Sequence, residues 1–339
     1  MSYLKVVDIY KNFDVKAMAQ LKGISFSLNR GEVISIIGPS GTGKSTLLNI
    51  ISNDSAPDQG SVELEGKKVE NGDIAYLKSS FDLDFKLDVI SNIISGLSSD
   101  VPHPDAIDMA RDMIEVFGLE YKDKKSLDQL SAGQLQRVRL AKAMIKMPSL
   151  ILLDEPFTNL DEFLKKEILS ELLEFIREKQ ITTILVTHHL QEAFSLSDRV
   201  MILAHGKVLQ FDTPEKIYQN PVDVFSARFG GDINLIASNV LKIDGENVVV
   251  KGPYGEFTIR GHADSKKFIY HAIRPENVLV SDKGSARGKI VKRTFFGEYY
   301  LYAVNTGEKN PVLLKSNEKY DIGSSLSLDL SNRSFLIPI

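Results

Sequence analysis

The stretch VISIIGPSGTGKSTLL, Val33 to Leu48, constrains the fold of this 339-residue chain more than any other. Val33, Ile34, Ile36 and Ile37 make a nearly unbroken apolar run, rich in β-branched residues. That is the pattern of a strand buried on both faces of a parallel sheet. Gly38 to Ser45 then fit G-x-x-x-x-G-K-[ST], the phosphate-binding loop. Glycines let the backbone bend until several N–H groups point into one concave space, and the helix expected from near Gly43 adds its positive end. Gly38, Pro39, Ser40, Gly41, Thr42, Gly43, Lys44, Ser45 and Thr46 are therefore the candidate cradle. Lys44 is placed to reach the β- and γ-phosphates, and the Ser45 hydroxyl to take a magnesium coordination site. A plain strand-turn-helix with a chance lysine is the alternative, and Leu47, Leu48 and Ile50 behind the loop weigh against it.

A triphosphate site needs more than a cradle. SLILLDEP, Ser149 to Pro156, reads as a second buried strand ending in two carboxylates. Asp154 is placed to hold magnesium, directly or through water, and Glu155 stands where an attacking water could sit. Taken alone, a strand with a solvated acidic turn explains these residues equally well. Beside the phosphate loop, they become the expected metal-binding and water-positioning groups. In DQLSAGQLQRVRLAKAM, Ser131 is a good N-cap, and Leu135, Val138, Ala141 and Ile145 give a helical stripe. Ser131, Ala132, Gly133 and Gln134 thus lie at a helix start with little bulk, which is either a second anion site or simply a capped helix.

In this order the motifs resemble those of the nucleotide-binding subunit of an ATP-binding cassette (ABC) transporter. GPSGTGKST looks like its phosphate loop, LSAGQ like its signature, and LILLDEP like its magnesium strand. TNLD, Thr158 to Asp161, looks like its D-loop, and LVTHH, Leu185 to His189, like its histidine switch. The resemblance implies an α/β P-loop NTPase core with a helical subdomain, working as a head-to-tail homodimer that sandwiches two ATP molecules. Each ATP would rest on one copy's phosphate loop and be closed over by Ser131, Gly133 and Gln134 of the other, with Asp161 nearby. It further implies that Glu155 is the general base or water orienter, that His188 contacts the γ-phosphate and the water, and that Ser45 and Asp154 hold Mg2+. Phe13 matches the position where the family stacks an aromatic ring on adenine, although a core phenylalanine explains it too. Asp161 also suits a plain helix N-cap, and His188 a satisfied histidine at a strand end.

Three residues depart from the family pattern. Ala132 replaces the first glycine of the signature pair; a methyl group at a helix start need not disturb helical φ/ψ, so tolerance is expected. His189 stands where aspartate is frequent. Ser79 falls where the Q-loop glutamine is expected, and it is too short to make the same contacts, which leaves weak hydrolysis as an alternative reading.

From about Asp88 to Ser126 the pattern turns helical, DAIDMARDMIEVFGL carrying a stripe that ends at Gly118. Residues from about 88 to 147 resemble the subdomain that touches the membrane subunits, although a helix packed on the core accounts for the same pattern. After Gly230-Gly231 the chain becomes short β-rich runs between Gly, Asn, Asp and Pro turns, which reads as a small all-β domain. HAIRPENVLV and VKRTFFGEYYLYAV resemble the TOBE-type domain, similar to an oligonucleotide-binding barrel, that follows the ATPase in importers of sugars, polyamines or ferric iron. The expected boundaries are residues 1–232 for the cassette and 233–339 for the β-rich part. Phe295, Phe296, Tyr299 and Tyr300 are expected in barrel core and dimer contact.

The resemblance implies two transmembrane permease subunits and an extracytoplasmic solute-binding protein as partners, with this chain cytoplasmic and peripheral to the inner face of the membrane. The N-terminus has no signal-peptide layout and no apolar run is long enough to span a bilayer. The net charge of -4 offers no basic excess, so no nucleic acid is expected. With no cysteine, thiolate metal sites and cysteine nucleophiles are excluded. A non-transport cassette ATPase is the alternative, but those usually carry two cassettes or a long coiled-coil insertion, and neither is seen. The transported solute is not readable from the sequence.

Overall fold

The computed structural model describes residues 2–12, 20–70, 74–78, 83–97, 101–157, 160–261 and 268–338. The chain divides into two compact units, residues 1–214 and 215–339.

In the first unit, β1 (Leu4–Lys11), β2 (Leu21–Leu28), β4 (Gln59–Leu64) and β5 (Lys67–Lys68) form an antiparallel sheet in the order β2-β1-β4-β5. The second sheet carries the site. It consists of β3 (Val33–Ile37), β6 (Ala75–Leu77), β7 (Leu150–Asp154), β8 (Thr182–Val186), β9 (Arg199–Ala204) and β10 (Lys207–Asp212). Their order is β10-β9-β3-β8-β7-β6, parallel except for the β9–β10 hairpin. β3, β7 and β8 are buried at every residue, as their unbroken apolar runs require. Successive residues feed opposite cores: Val33, Ile151, Leu153 and Leu185 join one, and Ile34, Ile36, Leu152, Ile184 and Val186 the other.

Among the described residues, six α-helices accompany this sheet: α1 (Lys44–Ile51), α2 (Val89–Ile94), α3 (His103–Val116), α4 (Ala132–Met144), α5 (Glu162–Glu178) and α6 (Leu190–Leu196). The α4 stripe packs as its spacing predicts, with Val138, Ala141 and Ile145 buried. Buried Asn92 fixes the turn before α2, accepting from the Asp84 N–H and donating to the carbonyls of Asp84, Leu87 and Asp88.

Among its described residues, the second unit holds α7 (Pro214–Gln219) from its second residue on, α8 (Val224–Phe229) and two five-stranded sheets. One contains β11 (Asn234–Asp244), β12 (Asn247–Gly252), β13 (Gly255–Arg260), β14 (Phe268–Ile273) and β20 (Phe335–Pro338), in the order β13-β12-β11-β14-β20. The other contains β15 (Leu279–Val280), β16 (Ala286–Phe295), β17 (Tyr300–Asn305), β18 (Val312–Ser316) and β19 (Ser325–Asp329), in the order β15-β19-β16-β17-β18. Their inner faces share one core that includes Val248, Val250, Ile290, Tyr302, Val304 and Leu328.

Two differences from the sequence expectations have clear physical causes. α7 and α8 group with the β-rich unit, although the expected boundary at 232 sets them with the cassette. Arg274, 1% exposed, donates to the carbonyls of Tyr218, Ala227, Gly231 and Asp232, and its guanidinium lies 4.1 Å from the Tyr218 ring centroid. Phe295 and Phe296 do not fill the barrel core: they are 62% and 53% exposed. Phe296 N–H donates to the Tyr299 carbonyl, so these residues form the tip of the β16–β17 hairpin, where the Phe296 ring stacks on Tyr299 and the Phe295 ring tilts against Tyr300.

Candidate functional site

The loop after β3 folds around Lys44. Gly43, at the N-cap of α1, has φ 100°, a conformation that L side chains rarely adopt, and it turns the chain from loop to helix. Lys44 is 7% exposed, and its Nζ donates to the carbonyls of Gly38 and Pro39, each at 2.9 Å. The Thr42 hydroxyl donates to the Pro39 carbonyl, closing the loop. Burial pulls the Lys44 ammonium below its usual range, while the charges of Glu155 and Asp154 oppose that shift.

Asp154 closes β7 and is 6% exposed. Burial lifts its carboxyl above the usual range and the Glu155 charge adds to this; hydrogen bonds from Ser45 and Tyr76, and the Lys44 charge, pull the other way. Glu155 follows with φ 49°, a left-handed conformation uncommon outside glycine, and its N–H donates to the Val186 carbonyl at 3.0 Å. This turn sets the Glu155 carboxylate beside the end of β8, with Oε1 3.7 Å from His188 Nδ1. Lys44, Ser45, Asp154, Glu155 and His188 therefore meet at the carboxyl ends of β3, β7 and β8. Open parallel sheets bind ligands in that place.

Ser131, Gly133, Gln134 and Asp161 form a second group. Ser131 N-caps α4 in a reciprocal box: its hydroxyl accepts the Gln134 N–H, and Gln134 Oε1 accepts the Ser131 N–H. Asp161 caps α5, accepting from the N–H groups of Phe163 and Leu164. A Cβ at Gly133 would stand 2.3 Å from Leu164 Cδ2, so the glycine lets α4 pack directly on α5. Ala132 is exposed, so its methyl group displaces nothing in the core of its own chain. Arg137, 7% exposed, strengthens the joint by pairing with Glu167 and Glu171 of α5 and donating to the Phe117 carbonyl after α3. Among the described residues, no hydrogen bond or ion pair joins this group to the phosphate loop.

Phe13 and Ser79 lie outside the described residues, as do Thr158 and Asn159 of TNLD. His189 caps α6 only through its backbone; its ring lies 4.0 Å from that of His188, centroid to centroid. Sequence reasoning missed Tyr76 on β6, whose hydroxyl donates to Asp154 Oδ2 at 3.4 Å. Burial and the Asp154 charge raise its pKa well above the ordinary phenol range. The only signal for it was an aromatic in the short apolar run IAYL just ahead of Ser79.

The fold and this arrangement define an ATPase of the ATP-binding cassette class. Residues 21–158 match the ABC transporter family model, and residues 271–336 match the TOBE domain model. The chain belongs to the ATP-binding subunits of ABC transporters that carry a C-terminal TOBE domain. It is 32% identical over 333 residues to the spermidine/putrescine import ATP-binding protein PotA of Mycoplasma capricolum, covering 96% of this chain and 94% of that one. The PotA protein of Spiroplasma citri is 33% identical over 339 residues, with coverage of 96% and 94%. Among solved structures, a dimeric ATP-binding cassette in a post-hydrolysis state bound to ADP and Pi aligns with TM-score 0.55 at 28% identity, over 62% of this chain and 98% of that one. The cbiO1 protein of Clostridium perfringens, part of the ABC transporter complex cbiONQ, aligns with TM-score 0.57 at 26% identity, over 67% and 92%. The chain binds and hydrolyses ATP. Among the described residues, no helix is long and apolar enough to cross a membrane.

Proposed function

We propose that this chain energises the import of a small polycationic solute of the spermidine/putrescine class. In this reading it works as a head-to-tail homodimer beneath two transmembrane permease subunits, peripheral to the inner face of the membrane, with an extracytoplasmic solute-binding protein delivering the solute. The full-length similarity to PotA proteins supports the solute class. The observation that carries the mechanism is the convergence of Lys44, Ser45, Asp154, Glu155 and His188 at three strand ends, with the Ser131 group, among the described residues, joined to the phosphate loop by no hydrogen bond or ion pair.

ATP rests its phosphates on the loop of residues 38–46, with Lys44 turning from its own loop carbonyls to the β- and γ-phosphates. The adenine stacks on Phe13. The Ser45 hydroxyl and the Asp154 carboxylate are hard oxygen donors that suit Mg2+, and both would hold it. Bound there, the ion supplies neutralising charge to the β,γ-phosphate oxygens. Glu155 orients or deprotonates the attacking water, and His188 contacts that water and the γ-phosphoryl group. The partner copy's Ser131 hydroxyl and Gly133 N–H offer donors to the γ-phosphate only when the dimer closes, with Gln134 and Asp161 beside them. Hydrolysis removes that bridge, and the halves part. Tyr76 contacts Asp154 and also lines a surface groove with Ser95, Gly96, Lys142 and Met147. A permease segment seated in that groove would sense the metal-binding carboxylate through one side chain.

Glu155→Gln tests the sandwich. With MgATP the variant should bind nucleotide, hydrolyse it at least about 100-fold more slowly, and elute from gel filtration as a dimer. Elution as a monomer under those conditions would remove the homodimer from the proposal.

A further inference from the structure

Away from the phosphate loop, α5 and α6 share a buried ion pair. Lys165 on α5 is 4% exposed and Glu192 on α6 is 8% exposed, and the Lys165 ammonium contacts Glu192 Oε1. The other carboxylate oxygen, Oε2, accepts a 2.6 Å hydrogen bond from the Thr187 hydroxyl, itself 2% exposed. The Thr187 oxygen in turn accepts the His189 N–H at 3.0 Å. These contacts grip the backbone on both sides of His188. The Lys165 backbone N–H donates to the carbonyl of Asp161, the N-cap of α5.

We infer that Lys165 and Glu192 are positioning residues, which hold the turn at 187–189 so that His188 stands against Glu155. This rests on the proposed role of His188. An apolar pair of similar volume fills a buried site as well as an ion pair does, often with better stability. What it cannot supply is an acceptor for the Thr187 hydroxyl, and through that hydroxyl a fixed place for the His189 N–H. The carboxylate has one oxygen for the ammonium and one for the hydroxyl. Its orientation is therefore set by α5, and the histidine turn is set by its orientation.

The test is steady-state hydrolysis of MgATP by the full-length chain, with binding of a fluorescent ATP analogue measured separately. Glu192→Gln keeps the side-chain shape, but if its oxygen faces Thr187 it turns an amide donor toward the ammonium. We expect kcat to fall about tenfold or more in Glu192→Gln and Lys165→Met, nucleotide affinity to stay within about twofold, and Lys165→Arg to keep most of the rate. The double variant Lys165→Met/Glu192→Leu should melt near the parent temperature yet hydrolyse as slowly as the single variants. Added to His188→Ala, Glu192→Gln should cost nothing more, because it acts through that ring. Parent-like turnover in the double apolar variant, or full additivity with His188→Ala, overturns the inference. A slow His188→Ala beside a full-speed Glu192→Gln overturns it while sparing the proposed function. Normal turnover in His188→Ala overturns both.

Discussion

The Tyr76 hydroxyl donates to Asp154 Oδ2 across 3.4 Å and so ties the edge strand β6 to the carboxyl end of β7. Burial raises the Asp154 pKa, and the Tyr76 bond favours the charged form that can hold a cation. Removing that bond in Tyr76→Phe lifts the carboxyl further. Hydrolysis should then fail at a higher pH as the solution is acidified, and more magnesium should be needed at any given pH. A pH–rate profile and a magnesium titration, run beside the parent chain, check both. Superimposable acid limbs would refute the expectation.

Lys44 offers a sharper loss. The charges of Glu155 and Asp154 both act on its ammonium, which also braces the loop through Gly38 and Pro39. Lys44→Ala should lower hydrolysis about 100-fold or more, the scale on which removing a transition-state donor acts. Equilibrium nucleotide binding distinguishes lost affinity from lost chemistry. Unchanged hydrolysis would remove the phosphate-loop assignment.

Gly133 and Ala132 should respond in opposite ways. Gly133→Ala drives a methyl group into Leu164 and should destabilise the α4–α5 joint by about 1–3 kcal/mol, as overpacking does. Ala132→Gly changes an exposed position and should cost less than about 1 kcal/mol. Urea denaturation of both variants, together with ATP-driven dimerisation, makes the comparison.

The β-rich unit carries an acid sensitivity of its own. His271 on β14 is fully buried, with Nε2 3.1 Å from the Leu330 carbonyl and its ring 4.5 Å from that of Phe257. Burial pushes its pKa down to about 4, from an ordinary 6.5. A base whose folded pKa is depressed leaves the unfolded chain binding more protons between those values. Its stabilising share is complete above about pH 6.5 and is lost as pH falls toward about 4, a change of about 3 kcal/mol. Thermal melts between pH 7.5 and 4.5 should show the decline, and His271→Gln should flatten it.

Much of this was legible because it is local. The apolar runs of β3, β7 and β8, the glycine turn before Lys44 and the serine cap at 131 each state their geometry within a few residues. Tyr76 was not legible, because its partner lies 78 positions away and meets it only once β6 pairs with β7. The same holds for Arg137 with Glu167 and Glu171, and for Lys165 with Glu192, where each charge alone reads as a solvated helix face. Phe295 and Phe296 misled in the opposite sense for one half of the expectation: strand-like aromatics suggested barrel core as well as dimer contact, but at the hairpin tip they are exposed and not in the core. The sequence does not show where a hairpin ends relative to the sheet beneath it.

Arg274 decides where this polypeptide can be taken apart. The backbone oxygens it serves belong to Tyr218, Ala227, Gly231 and Asp232, all upstream of the first long strand of its own unit. Scissors placed at 232 would strand a buried cation on one fragment and its acceptors on the other. A fusion or swap between relatives should instead be joined ahead of Pro214, so that arginine and acceptors travel as one cartridge.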